Sequence, residues 1–402
     1  MNILHLTGFG TKISVSKSKL EIRNGRDGIT KPYVTSSYRP RRFPYDSITI
    51  DGHSGYVTLQ AFHWLSRNKI PVFVLNFDGS MISSILPPTP VKADLRAVQF
   101  EACTIPRLKL AIAKALVEAK IARSIQVLEW LAERYDLSRE VLLMKREAMN
   151  LTRAHTVMAV RSVEGRVAVK YWSAYGKVLP EPLDFQGRGT TSRASNASDP
   201  VNAALNYGYG FLEGECRKAI NTVGLEPSVG FLHDFSDYQT KQSLVYDLQE
   251  PFRWLIDLTV MQAFESGTLD VSHFYFTGDD YRYRFDIEAK TRFLSLLRER
   301  FNSGVKYNGR VLKWDTVIEQ KATELSRFLS GRSREIDFIE PSPVLERSDS
   351  FEVRKAILSL TQKQADKLGI GRSTLHYLRR NARASDSFMV YGKIKKRLEV
   401  TT

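Results

Sequence analysis

Four residues, Pro87-Pro88-Thr89-Pro90, divide the chain more sharply than anything else in it, because the hydrophobic period differs on their two sides. Before them, apolar residues recur at every second position, as along a half-buried strand. After them, the recurrence lengthens to three or four, as on one face of a helix. Proline fixes φ and removes a backbone donor, so this stretch continues neither a helix nor a central strand. A chain with such a break is built in two different styles.

On the early side, Ile13 and Val15, then Leu20 and Ile22, alternate with polar residues, and Asn24-Gly25 is a turn signal, so a hairpin is expected. Ile48 and Ile50 alternate before a Gly52-His53-Ser54-Gly55 loop, and an amphipathic helix is expected from about Thr58 to Asn68 with Leu59, Phe62 and Leu65 on one side. Ile70 to Phe77 reads as a buried strand, Asp78-Gly79 as a turn and Met81 to Leu86 as the returning strand. Residues 1–88 are therefore a small β-rich domain. Residues 89–331 read as a large all-α domain, in which Leu108, Ile112, Ala115 and Ala119, then Ile125, Leu128 and Leu131, keep helical spacing. A Gly-, Ser- and Thr-rich loop from Phe185 to Ser198 interrupts it and carries Arg188 and Arg193, before Asp199-Pro200 supplies an N-cap and a first-turn proline. That basic loop is a candidate grip on DNA, set against a solvated connection with two ordinary surface arginines. The fold class is α+β.

Residues 332–350, with two prolines, several charges and little periodicity, read as a linker to a last module at 351–402. There Thr361-Gln362-Lys363-Gln364 forms a capping box, followed by Ala365, Leu368, a turn at Gly369, and a second helix with Leu375 and Leu378, the spacing of a helix-turn-helix. Arg372, Ser373, Thr374, His376, Arg379 and Arg380 lie on the exposed side of that second helix, where they can contact phosphates or base edges. Between Thr361 and Leu398, ten Lys or Arg stand against two acidic residues, which favours DNA over a helical hairpin for protein contacts.

The formal net charge of the whole chain is +15, pointing to a polyanionic partner with nucleic acid first, ahead of anionic lipid or a merely soluble basic surface. No apolar stretch is long enough to span a bilayer, no signal peptide is visible, and the two cysteines, Cys103 and Cys216, suit free thiols in a cytoplasmic protein. Glycine-rich nucleotide loops, a Gly-x-Ser-x-Gly elbow and Cys-x-x-Cys pairs are missing, which disfavours ATP hydrolysis, acyl transfer and structural zinc.

Chemistry concentrates in Gly230-Phe231-Leu232-His233 and the run Ser243-Leu244-Val245-Tyr246-Asp247-Leu248-Gln249-Glu250-Pro251-Phe252-Arg253. Ser243 is placed to cap a helix from which Asp247 and Glu250, three apart, project on one face, with His233 upstream across a loop. Taken alone, such an Asp and Glu are more often a solvated face, and a lone histidine is more often a polar core or surface residue, so the residues leave the metal site open. Tyr171, Tyr207 and Tyr209 read first as core, and Thr277-Gly278-Asp279-Asp280 first as a polar turn.

The run from Gly230 to Arg253 resembles the signature of the CRISPR-associated adaptation integrases, Gly-Phe-Leu-His and then Ser-Leu-x-x-Asp-Leu-x-Glu-Pro-Phe. Glu164-Gly165 with Tyr171 following, and Asp199-Pro200-Val201-Asn202-Ala203-Ala204-Leu205-Asn206-Tyr207-Gly208-Tyr209, agree with it in the family's order, as do Ser54-Gly55-Tyr56-Val57-Thr58 and the strand ending at Asp78-Gly79. The similarity covers roughly residues 1 to 330. It implies that the all-α domain is catalytic, with Glu164, His233 and Glu250 as metal ligands and Asp247 as an auxiliary carboxylate beside them. Such a donor set suits Mg²⁺ or Mn²⁺. It also implies a homodimer through the N-terminal domain, with two dimers bridging double-stranded DNA as a tetramer.

The helix-turn-helix departs from the family's usual chain and resembles the casposases, relatives that act as transposases of self-synthesising elements. In that reading the tail recognises element ends or target DNA, while the helical domain joins donor 3′-ends to a target strand. A CRISPR adaptation integrase would share the catalytic residues. Two rivals stand beside these: a nuclease that cuts branched DNA without joining it, and a non-catalytic DNA-binding regulator that leaves Glu164, His233 and Glu250 unexplained.

Overall fold

The computed structural model describes residues 2–26, 32–52, 54–89, 92–132, 135–179, 183–188, 197–233, 242–277, 282–339 and 357–384, with the backbone alone for 377 and 380–384. Arg193, the side chain of Arg380 and Gly278 to Asp280 of the expected polar turn lie outside the described residues. The chain divides into two compact units, Met1–Pro341 and Ser342–Thr402, so the division falls inside the stretch expected to be a linker.

The first unit begins with strands β1 (Ile3–Leu6), β2 (Thr11–Ser16), β3 (Lys19–Arg23), β4 (Thr35–Tyr38), β5 (Ser47–Ile50), β6 (Gly55–Val57), β7 (Val72–Leu75) and β8 (Met81–Ile85), and one helix, α1 (Leu59–Arg67). They form two four-stranded sheets, ordered β1-β5-β7-β8 and β4-β3-β2-β6. Strands β1, β5 and β7 are parallel and β8 returns antiparallel through the Asp78-Gly79 turn, where Gly79 has a φ of 83°. The β2–β3 hairpin turns at Lys17-Ser18, both at positive φ, as a two-residue hairpin requires; Asn24-Gly25 instead leads the chain out of β3. Helix α1 begins where expected, with Thr58 as its cap, but the buried face is Ala61, Trp64 and Leu65, and Leu59 is 77% exposed. Leu65 is thus buried as expected and Leu59 is not, and Trp64 is the side chain that packs with Ile13, Leu20, Ile48 and Val72 in the core.

Helices α2 (Ala93–Thr104), α3 (Pro106–Ala132), α4 (Ser138–Ala148), α5 (Val157–Val178), α6 (Pro200–Val223), α7 (Ser243–Gln249), α8 (Arg253–Glu265), α9 (Ile287–Asn302) and α10 (Trp314–Leu329) make up most of the rest. Two hairpins stand among them, β9 (Phe274–Thr277) with β10 (Arg282–Phe285) and β11 (Gly304–Tyr307) with β12 (Arg310–Lys313). Helix α6 is the axle, buried along nearly its whole length between α7, α8 and α10. Asp199 caps it by accepting from the Asn202 N–H, and Pro200 sits in its first turn. Its glycines let neighbours come close: a Cβ on Gly210 would run into the Gly79 carbonyl of the β7–β8 turn. The sheets are also fastened to the helices by charge. Asp51, at the end of β5, takes Lys290 of α9 at 2.6 Å and the Tyr207 hydroxyl of α6 at 2.8 Å.

In the second unit, α11 (Gln362–Lys367) and α12 (Arg372–Ala384) pack Ala365, Ile370, Leu375 and Leu378 on Ile357 and Leu360. Thr361 and Gln364 close the capping box in both directions, and Gly369 takes the turn at a φ of 66°. These are the expected parts of a helix-turn-helix.

Candidate active site

Glu164 projects from the middle of α5, a helix capped by Thr156. Three residues earlier on α5, Arg161 donates to the Leu232 carbonyl at 2.6 Å, which ties the Gly230-to-His233 loop to this helix. The same loop is held from the other side by Asp247 of α7. One Asp247 oxygen accepts the N–H groups of Phe231 and Leu232 at 2.5 and 3.0 Å; the other accepts the His233 N–H at 3.0 Å and lies 2.7 Å from His233 Nδ1. Such closeness requires Gly230, whose Cβ would lie 2.7 Å from Ser243 Cβ and 2.9 Å from Asp247 Oδ2. Ser243 is consequently the first residue of α7, packed under the loop, and Gln242 takes the cap position expected for Ser243. Asp247 is fully buried, and its two oxygens are taken up by the loop backbone and by His233.

Pro251 ends α7, because it has no N–H to continue the ladder, and a short 3₁₀ turn, Glu250–Phe252, leads into α8. Glu250 thereby leaves the face of α7 and meets α3. Lys120 of α3 contacts Glu164 Oε1 and lies 2.6 Å from Glu250 Oε2, while Arg253 Nε donates to Glu250 Oε1 at 3.0 Å. Glu250 Oε2 is buried and meets no aligned hydrogen-bond donor; the Lys120 ammonium faces it as a charge. Burial alone would push the Glu250 carboxyl up, but Arg253, Lys120 and His233 outweigh it and hold the pKa at about 2. Burial likewise opposes the charge on His233, and the hydrogen bond and charge of Asp247, with Glu250, raise its pKa above the usual histidine value.

The two glutamates open onto a cavity of about 220 Å³. Its far wall holds Asp257 of α8, which accepts the Tyr171 hydroxyl at 2.9 Å and the Tyr209 hydroxyl at 2.5 Å, while the Tyr175 hydroxyl donates to the Asp257 carbonyl. Burial drives the Asp257 carboxyl up to about 6, against the two hydroxyls and the charges of Arg253 and Arg188. Tyr171, Tyr207 and Tyr209 are thus core residues whose hydroxyls are spent on buried aspartates. Arg188 is not a free loop arginine: it donates to Asn202 and Asn206 of α6 at 2.9 and 2.8 Å and faces the same cavity.

Sequence reasoning singled out Glu164, His233, Asp247 and Glu250, which the fold brings together in two contacts, Glu164 with Glu250 through Lys120, and His233 with Asp247. It missed Lys120, Asp257 and the role of Arg253. Nothing in a lysine on a long helix marks it, and the signal lies only in the pairing across the fold. Among the described residues no three His, Cys, Asp or Glu side chains close around a point as a metal shell. The donor chemistry still fits a hard divalent ion: two converging carboxylates are already bridged by a cation, one of their oxygens lacks an aligned donor, and Asp247 on Nδ1 leaves His233 Nε2 as the nitrogen that could serve a metal.

In the second unit, Arg372, Ser373 and His376 are exposed and Thr374 half-buried, whereas Arg379 turns back to donate to the Leu360 carbonyl and braces the module.

The chain matches the family described as CRISPR associated protein Cas1 over residues 4–299. It is 31% identical over 307 residues to CRISPR-associated endonuclease Cas1 1 of Archaeoglobus fulgidus, covering 71% of this chain and 86% of that one. It is 33% identical over 288 residues to CRISPR-associated endonuclease Cas1 1 of Thermus thermophilus, covering 69% and 83%. A solved casposase bound to integration product has a TM-score of 0.82 at 35% identity, over 89% of this chain and 99% of that one. The fold, the order of the motifs and these matches agree: the chain belongs to the CRISPR-associated Cas1 family.

Proposed function

We propose that this protein is a casposase-like DNA integrase that joins the 3′-hydroxyl ends of linear duplex DNA to a target duplex by transesterification, with Glu164, His233 and Glu250 holding Mg²⁺ or Mn²⁺. The observation that carries the reading is the likeness to the casposase, at 35% identity and a TM-score of 0.82 over 89% of this chain. When bound, the ion would stabilise charge on the scissile phosphate and lower the pKa of the attacking hydroxyl. The chain supplies the rest. Arg253 fixes one Glu250 oxygen, Asp247 fixes the ring and tautomer of His233, and Arg188 is placed at the cavity wall as a further cation for backbone phosphate. Arg372, Ser373, Thr374 and His376 of α12 are the residues offered to element ends or target DNA, and assembly is through a homodimer of N-terminal domains, two of which bridge the DNA as a tetramer.

The family match itself supports a second reading, insertion of spacers into CRISPR arrays with the same catalytic residues. One assay addresses both readings and their rivals. Purified protein is incubated with short linear duplexes and supercoiled plasmid, with Mg²⁺ or Mn²⁺, alongside Glu164→Ala and His233→Ala. Covalent joining of oligonucleotide 3′-ends to plasmid, lost in both variants, is expected. Cutting without joining means a nuclease, and binding alone a regulator. Preference for element ends over repeat arrays separates the two integrase readings.

A further inference from the structure

Lys120 sits between the two glutamates that the proposed function assigns to a metal. Its ammonium contacts Glu164 Oε1 and Glu250 Oε2, and Arg253 holds the other Glu250 oxygen. Two positive and two negative groups thus balance in a largely buried cluster. Adding a divalent ion to that set would leave two uncompensated positive charges in a place where an unbalanced charge is strongly disfavoured. If Lys120 departs, one excess charge remains, and a single DNA phosphate neutralises it. Lysine suits this exchange: its ammonium rides on a flexible four-carbon stem, and Lys120 already borders the cavity of about 220 Å³ into which it can swing. Arg253, packed over the Tyr209 ring at 4.6 Å and hydrogen-bonded to Glu250, is the cation that stays.

We infer that Lys120 is a built-in counter-ion that holds Glu164 and Glu250 together before metal arrives, and that the divalent ion enters by displacing it. The inference rests on the metal-site reading above. It makes Lys120 a positioning residue that sets metal affinity and weakens metal binding until a polyanion is at hand. A further consequence follows from charge: metal binds more tightly when a DNA end is present, and DNA more tightly when metal is present, by the same factor.

The test uses full-length protein and Mn²⁺ without DNA. In the wild type, amine-reactive labelling of Lys120, read by mass spectrometry, should rise when Mn²⁺ is added, while surface lysines such as Lys145 keep their labelling. Lys120→Met, which keeps most of the stem and loses the charge, should bind Mn²⁺ tighter on the order of tenfold. It should also melt lower without metal and gain more in Tm when Mn²⁺ is added. Lys120→Arg should restore the metal-free Tm. Glu250→Gln serves as the control for the site. Mn²⁺ binding that depends on Glu250, with unchanged labelling of Lys120 and unchanged or weaker binding by Lys120→Met, overturns the displacement and leaves the metal site standing. Absence of Glu250-dependent Mn²⁺ binding in the wild type overturns both. The labelling arm needs no variant, so a misfolded Lys120→Met would not spare the inference.

Discussion

The two ends of the central cavity solve one problem in opposite ways. Glu250 and Asp257 lie seven residues apart, and both are buried. At one end burial is overcome by cations, Arg253 and Lys120, and Glu250 stays charged with a pKa near 2. At the other end the nearest partners are phenols, Tyr209 and Tyr171, and burial prevails, leaving Asp257 near 6. Depth does not decide where a buried carboxylate titrates; the partners within hydrogen-bond reach do. In the proposed function the cation-lined end carries the phosphoryl chemistry, and the phenol-lined end is the scaffold beside it.

The largest effect expected from this difference is on strand transfer. Glu164→Gln and Glu250→Gln should each reduce joining of duplex ends to plasmid by about 10²-fold to 10³-fold or more, the scale for losing a group that stabilises developing charge. Asp257→Asn should keep joining within about tenfold of the wild type, since Asp257 touches tyrosines and not the proposed ligands. Equal losses in both sets, measured as joined product over time, would erase the distinction between the ends.

Arg253 connects them, holding Glu250 and stacking on Tyr209. Replacing it by methionine leaves a buried carboxylate with Lys120 and His233 as its remaining positive partners. A destabilisation of about 3–5 kcal/mol is expected from breaking such a pair, toward the lower figure because Lys120 remains. Urea unfolding at pH 7 reads it, and an effect under about 1 kcal/mol would mean that Lys120 and His233 keep Glu250 charged without it.

The two ends should also answer pH in opposite directions. For Glu250 the folded pKa lies below the ordinary 4.5, so its contribution is present above that value and is lost as pH falls toward about 2. For Asp257 the folded pKa lies above the ordinary 3.8, so between about 4 and 6 the folded protein holds a proton that the unfolded chain has released. Stability from Asp257 is then full below that window and falls as pH rises through it, by about 3 kcal/mol in all. Asp257→Asn should flatten this fall in unfolding curves taken across pH 4 to 6, and Glu250→Gln should leave it unchanged.

Local signals carried much of this architecture and none of the cation between the glutamates. The Asp78-Gly79 turn, the Asp199-Pro200 start of α6 and the Thr361–Gln364 capping box are each set by residues within a few positions of one another, and each is where the pattern puts it. Glu164, His233 and Glu250 were legible because their motifs resemble a family's, not because periodicity marks them. Lys120 is 44 residues from Glu164 and 130 from Glu250, and its meaning arises only when α3 packs beside α5 and the turn after α7. Asp257 is one of several polar residues on the largely apolar α8, and nothing local sets it apart. The β9–β10 and β11–β12 hairpins escaped a reading tuned to helical spacing, because four-residue strands are too short to establish a period of two against helical neighbours.

The smallest effect expected tests whether the phenols set the state of Asp257. Tyr209 Oη lies 2.5 Å from one Asp257 oxygen and Tyr171 Oη 2.9 Å from the other. At pH 8 Asp257 is ionised, and a hydrogen bond to a charged acceptor is worth about 1.5–3 kcal/mol, so Tyr209→Phe should destabilise by about 2 kcal/mol and Tyr171→Phe by somewhat less. Well below pH 4 the carboxyl is protonated in both states and the same hydroxyl makes a neutral bond, worth about 1 kcal/mol. The penalty of Tyr209→Phe should therefore shrink as pH falls, because removing a donor to the carboxylate raises the Asp257 pKa further and adds to the proton-linked loss above it. A penalty that stays constant from pH 4 to pH 8 would mean that the ring packing of Tyr209, and not its hydroxyl, is what the phenol-lined end requires, and that burial alone sets the proton on Asp257.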